Sequence, residues 1–179
     1  MDIFPLRRIT SQRVAENPYW EYWLDTYRLR DGSEHPYHYV HTRGSVMVIP
    51  IADDGRFVLV RQFRYLWQRE SIEFPGGGVP DGTSARDHAL RELQEEAGFA
   101  ASLVEHIGDF NPMNGVTDER CNVFIARGLM PAAKSNDPIE ETQPLLLTES
   151  QLRQHIADGT IWDGMTLAAW ALFIARQTS

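Results

Sequence analysis

The chain has 179 residues, 42% of them hydrophobic and 23% charged, enough for one folded core with a small appendage. Its formal net charge of −8 supplies no long-range attraction to nucleic acid or anionic lipid, although a local arginine or a bound cation can reverse the sign of one pocket. A single cysteine, Cys121, excludes an intrachain disulfide and fits a reducing, cytoplasmic setting.

Met1 to Thr10 has no apolar core of signal-peptide length. Trp23 to Leu29 and Tyr37 to Thr42 are rich in β-forming aromatics, and the intervening Asp31-Gly32-Ser33 predicts a hairpin turn. Val46 to Ile51 and Phe57 to Gln62 read as a second pair of strands joined through Asp53-Asp54-Gly55. Ser71 to Phe74 extends into a glycine turn, Pro75-Gly76-Gly77-Gly78. Ser84 to Ala97 reads as a helix, with Thr83 as N-cap and Gly98 as its stop. Strands near Val104 to Asp109 and Asn122 to Ala126 flank a loop, Asn111 to Asp118. A polar loop at Lys134 to Glu141, a strand at Pro144 to Thr148 and helices at Glu149 to Asp158 and Met165 to Arg176 complete the chain. Its longest apolar stretch, Leu167 to Ala175, falls far short of the ~20 residues that span a bilayer, which predicts a buried helix and no membrane partner. Strands and helices mix without the alternation of a doubly wound sheet, so the expected class is α+β. Residues 1–43 form a β-rich extension on a main domain at 44–179.

The most informative segment is Gly77 to Phe99. On a helix, Glu92 and Glu96 lie one turn apart on a shared face, with Glu95 beside them. Ala85, Ala89, Leu93 and Ala97 form a neighbouring stripe that presses the helix onto a sheet. Carboxylates crowded in this way repel each other, and solvation, an arginine or a hard divalent cation can offset that repulsion. Acidic groups in a last helical turn also oppose the macrodipole. Local physics leaves a solvated acidic face and a metal site both open. Gly76, Gly77 and Gly78 just before the helix let the backbone approach a ligand closely.

Gly77, then Arg91-Glu92-Leu93, Glu95-Glu96 and Gly98-Phe99, stand at the spacing of the Nudix signature, and the chain resembles that hydrolase family. Thr83 departs from the signature, which has glutamate there. Arg61-Gln62-Phe63-Arg64-Tyr65 and Glu73-Phe74-Pro75-Gly76-Gly77 resemble the corresponding runs of ADP-ribose and other nucleoside-diphosphate-sugar pyrophosphatases. The resemblance implies an α/β/α sandwich with a mixed sheet between helices and an N-terminal antiparallel extension through which two copies form a homodimer. It implies Mg²⁺, with Mn²⁺ as substitute, on Glu92, Glu95, Glu96 and the Gly76 carbonyl. Gly77, Arg91 and Gly98 take structural roles in the signature, Arg91 by buttressing the carboxylates. Arg64 faces substrate phosphates, as its forked guanidinium suits. Trp20 and Tyr22, with Trp23 beside them, are candidates to stack on a nucleobase. Asn114 lies in a loop that lacks the family's usual turn, which leaves ADP-ribose, GDP-mannose and other nucleotide sugars open as substrate. Glu140, Glu141 or Glu95 is the expected base. The alternatives are a non-catalytic nucleotide-sugar-binding module of the same fold and a hydrolase of nucleoside triphosphates or dinucleoside polyphosphates.

Overall fold

The computed structural model describes residues 6–134 and 141–177. Its described residues divide into two compact units, one of residues 6–43 with 111–120 and the other of residues 44–110 with 121–134 and 141–177.

In the larger unit, strand β4 (Ser45–Pro50) is buried at every position because helices cover both of its faces. Its side chains alternate between two cores. Val46 and Val48 join Ala89, Leu93 and Ala97 of helix α1 (Ala85–Ala97), whereas Met47 and Ile49 face Ala169, Trp170 and Phe173 of helix α3 (Gly164–Gln177). Strand β5 (Phe57–Arg64) splits the same way, with Val58 and Val60 toward α1 and Phe57 and Leu59 opposite. Phe57 meets Trp170 and Phe173 edge-on at centroid distances of 5.3 and 5.4 Å. The result is the α/β/α sandwich of an α+β fold, with α2 (Glu149–Ala157) adding Leu152 to the α3 side.

The sheets are the first correction. β4 and β5 form no ladder with each other, and the bridge Ile51–Phe57 joins their ends across the Asp53-Asp54-Gly55 turn. β5 pairs with β6 (Arg69–Glu73) and β10 (Thr142–Leu147) in an antiparallel sheet. β4 lies in a mixed sheet of order β7-β4-β9-β8, parallel to β9 (Cys121–Pro131). A turn signal predicts reversal of the chain but not which backbone edge the next strand takes.

The second correction concerns the glycines. Gly76–Gly78 is a strand, β7, in antiparallel register with Ser45 to Met47. A Cβ on Gly76 would lie 2.3 Å from the Val46 carbonyl oxygen, so the absence of a side chain permits the pairing. The third concerns the cap. Ser84, not Thr83, caps α1, its hydroxyl accepting the Asp87 N–H at 3.0 Å. Gly98 ends the helix as expected, at φ 74°. β8 (Phe99–Phe110) and β9 run longer than predicted as one bulged antiparallel ladder, because Ala100, Ala101, Gly128 and Pro131 in their outer halves are poor strand signals.

In the smaller unit, β1 (Arg7–Glu16), β2 (Glu21–Arg28) and β3 (Glu34–His41) form an antiparallel meander, with the expected hairpin at Gly32, φ 86°. Residues 111–120 dock on it through the Val40 N–H to the Val116 carbonyl, 2.9 Å, and the Tyr37 hydroxyl to the Gly115 carbonyl, 3.1 Å. Among the described residues no helix is long and apolar enough to cross a membrane.

Candidate active site

Packing sets the orientation of the carboxylate helix. Ala89 and Leu93 are fully buried and Ala97 nearly so, which turns Glu92 and Glu96 toward strand β7. Glu96 is 8% exposed and accepts the Gly76 N–H through Oε2 at 2.9 Å. The Thr142 hydroxyl donates to the Glu96 backbone carbonyl at 2.7 Å and so ties β10 to the helix. Glu92 lies against Gly77, where an added Cβ would stand 2.6 Å from Oε1. The second glycine is therefore a cradle for a carboxylate, a packing role distinct from the turn role predicted for it.

The electrostatics of this edge are strained. Burial pushes the Glu96 carboxyl from 4.5 to about 8; the Gly76 N–H opposes the shift, and Glu92 and Glu73 add to it. Glu95 is half-buried. Among the described residues no three Asp, Glu, His or Cys side chains converge closely enough to hold a metal ion as they stand.

Arg64 lies at the end of β5. Its Nε donates to Glu73 Oε1 at 2.7 Å, and its Nη2 donates to Oε2. Gln62 Nε2 also donates to that Oε2, at 3.2 Å. Glu73 is 3% exposed whereas the Arg64 side chain is 45% exposed, so a buried carboxylate holds a half-exposed guanidinium in place. That pairing pushes the Arg64 pKa up, against the opposing effect of burial. Sequence reading missed Glu73 as a functional residue: it pairs with Val60 in the β5–β6 register, and Arg64, on the same face as Val60, reaches back along β5 to meet it. Beside the pair is a cavity of about 320 Å³, lined by Arg64, Tyr65, Trp67, Glu73, Trp162 and Asp163. Arg69 stacks there over Trp162, 3.9 Å from the ring centroid.

The remaining predicted residues are distributed as follows. Arg91 is exposed. Glu141 is exposed just before β10, and Glu140 lies outside the described residues. Trp20, Tyr22 and Asn114 belong to the smaller unit. Trp20 is 44% exposed. Tyr22 stacks on His38, with its hydroxyl 2.7 Å from Nδ1. Asn114 helps line a cavity of about 450 Å³ with Arg8, Asp25, Tyr37 and Tyr39.

His88 was also missed. It is 4% exposed on α1, one turn before Glu92, and burial followed by the Arg91 charge holds its imidazole below the usual range. In sequence it reads as one more polar position near a helix start.

A model of the NUDIX domain matches residues 41–160, which span the whole carboxylate helix and its glycine strand. The chain belongs to the Nudix family. It is a Nudix hydrolase resembling the ADP-ribose pyrophosphatases in sequence. It is 28% identical over 169 residues to a methanol dehydrogenase activator of Bacillus methanolicus, covering 93% of this chain and 91% of the other. It is 26% identical over 165 residues to an ADP-ribose pyrophosphatase of Bacillus subtilis, covering 91% and 89%. It is 29% identical over 135 residues to the ADP compounds hydrolase NudE of Escherichia coli, covering 75% and 71%. The crystal structure of an ADP compounds hydrolase superposes with a TM-score of 0.84 at 21% identity, covering 99% of this chain and 95% of that one, a match of fold.

Proposed function

We propose that this Nudix hydrolase cleaves the phosphoanhydride of a nucleoside diphosphate sugar, with ADP-ribose the leading member of the class, in a reaction that depends on Mg²⁺ or Mn²⁺. The observation that carries the reading is the buried Glu96, crowded by Glu92 and Glu73 and raised to about 8. Evolution tolerates such a cluster where a cation discharges it, because each uncompensated buried carboxylate costs folding energy. The donor set fits a hard divalent ion. Glu92, Glu95 and Glu96 supply carboxylate oxygens, and glycine at 76 and 77 leaves room for backbone and carboxylate to approach one point. When bound, such an ion neutralises phosphate oxygens and lowers the pKa of water.

The chain's own residues do the rest. Arg64, held by Glu73, presents its exposed guanidinium edge to the diphosphate and keeps it in line. Glu95, Glu140 or Glu141 takes the proton of the attacking water. The water oxygen bonds to one phosphorus, and the bridging oxygen leaves with the other phosphate. A nucleoside monophosphate and a sugar phosphate result. Trp20 and Tyr22 offer aromatic faces to the base, and Asn114 a polar contact. The same reading includes a cytoplasmic homodimer formed through β1–β3. Leu6, Ile9, Val14 and Tyr19 are 57%, 38%, 49% and 84% exposed there, more apolar surface than a three-stranded meander leaves uncovered without cost.

Thr83, where the signature has glutamate, favours one second reading: a module that binds a nucleotide sugar without cutting it. Phosphorus NMR over a panel of nucleotide sugars, nucleoside triphosphates and dinucleoside polyphosphates decides. The expected products are monophosphate and sugar phosphate, formed with Mg²⁺ or Mn²⁺ and absent with a chelator. Tight binding without product over hours establishes the module, and turnover after complete metal removal refutes the mechanism.

A further inference from the structure

His88 is a buried imidazole that its protein neighbours satisfy poorly. The residue is 4% exposed, and neither ring nitrogen makes a well-formed hydrogen bond, although the Gly78 backbone lies near enough to favour the protonated ring. Nε2 nevertheless stands 2.9 Å from Glu92 Oε1, at hydrogen-bond distance but outside hydrogen-bond geometry. The ring nitrogen therefore points beside the carboxylate oxygen, not at it.

Two donor atoms that bind one ion meet this description. Metal–nitrogen and metal–oxygen bonds of about 2.1 Å at right angles place the two donors about 3.0 Å apart. Each donor's lone pair then points at the ion, roughly 45° away from the line joining the donors, which is too oblique for a hydrogen bond between them. Helical spacing keeps the pair in register, since residues four apart share a face. The packing of α1 onto β4 holds both on the edge that faces the glycine strand.

We propose that His88 is a nitrogen ligand completing, with Glu92, a seat for a divalent transition-metal ion of the Mn²⁺ or Co²⁺ kind. The inference rests on the carboxylate site described above and deepens it. An all-oxygen site suits Mg²⁺, whereas an imidazole shifts preference toward the later divalent ions. Thr83 is consistent with this. The chain lacks the signature's outer carboxylate just before α1 and carries an imidazole on that helix.

Pulsed electron paramagnetic resonance of Mn²⁺ added to the metal-free full-length protein tests it directly, because a coordinated imidazole imprints nitrogen modulation on the manganese signal. The expected result is nitrogen modulation in the wild type that changes when histidine alone is labelled with ¹⁵N. It is lost in His88→Gln, whose Mn²⁺ affinity falls about 10–100-fold while Mg²⁺ affinity changes less than about threefold. The ¹⁵N measurement needs no variant, so a poorly folded His88→Gln does not rescue or sink the idea. Mn²⁺ bound in a manner sensitive to Glu92→Gln but without nitrogen modulation overturns the histidine ligand and leaves the carboxylate site standing. Modulation that persists in folded His88→Gln does the same. Absence of Mn²⁺ binding at millimolar concentration overturns both.

Discussion

Replacing Glu96 by Gln separates the chemistry of the site from its cost to the fold. The wild-type carboxyl moves from 4.5 to about 8 on folding, chiefly through burial. A carboxyl whose pKa rises on folding favours the native state while protonated. Its contribution is whole below about pH 4.5 and is lost as the pH climbs through about 8. At ~1.36 kcal/mol per pH unit the loss is on the order of 5 kcal/mol in metal-free protein. For a chain of this size that corresponds to roughly 10–20 °C in melting temperature. Glutamine keeps an oxygen to accept the Gly76 N–H and carries no charge, so the variant escapes the decline. Calorimetry in chelator between pH 5 and 9 is the assay. The wild type should lose stability between about pH 5 and 8 and level off above, while Glu96→Gln stays comparatively flat, and saturating Mg²⁺ should rescue the wild type alone. Turnover of the variant should fall by orders of magnitude. Parallel pH curves for the two proteins in chelator refute the reasoning, because they mean Glu96 ionises no differently in the folded chain.

Three further outcomes are expected. Gly77→Ala places a methyl 2.6 Å from Glu92 Oε1, so the carboxylate must shift and divalent-ion affinity should fall about 10–100-fold with circular dichroism unchanged; calorimetric titration with Mn²⁺ measures it. Arg64→Ala strands the buried Glu73 carboxylate and should cost about 3 kcal/mol by urea denaturation, while raising KM for a diphosphate substrate; unchanged stability speaks against Glu73 as the anchor. Leu93→Ala empties a fully buried position between α1 and the β4–β5 face and should cost about 2–5 kcal/mol, with the residual folded protein keeping its metal affinity.

Much of this molecule is legible in one dimension because its signals are local. Periodicity alone locates α1 and its buried stripe, since side chains four apart must share a face. Gly98 marks the helix end because an αL cap suits glycine. The spacing from Gly77 to Phe99 carries the family resemblance within 23 consecutive residues. Other features arise only where distant segments meet. Val46–Val48 and Val58–Val60 look like one hairpin, and only the competition for backbone edges sends β4 to β9 and β5 to β10. Gly76–Gly78 looks like a turn until β4 offers it a partner ladder. Arg64 looks like a lone cation until β6 brings Glu73 within reach of its guanidinium, and His88 looks ordinary until burial removes its water. Local propensity is written in neighbours along the chain, whereas pairing, desolvation and charge depend on atoms brought together by folding, and no short window of sequence contains both partners.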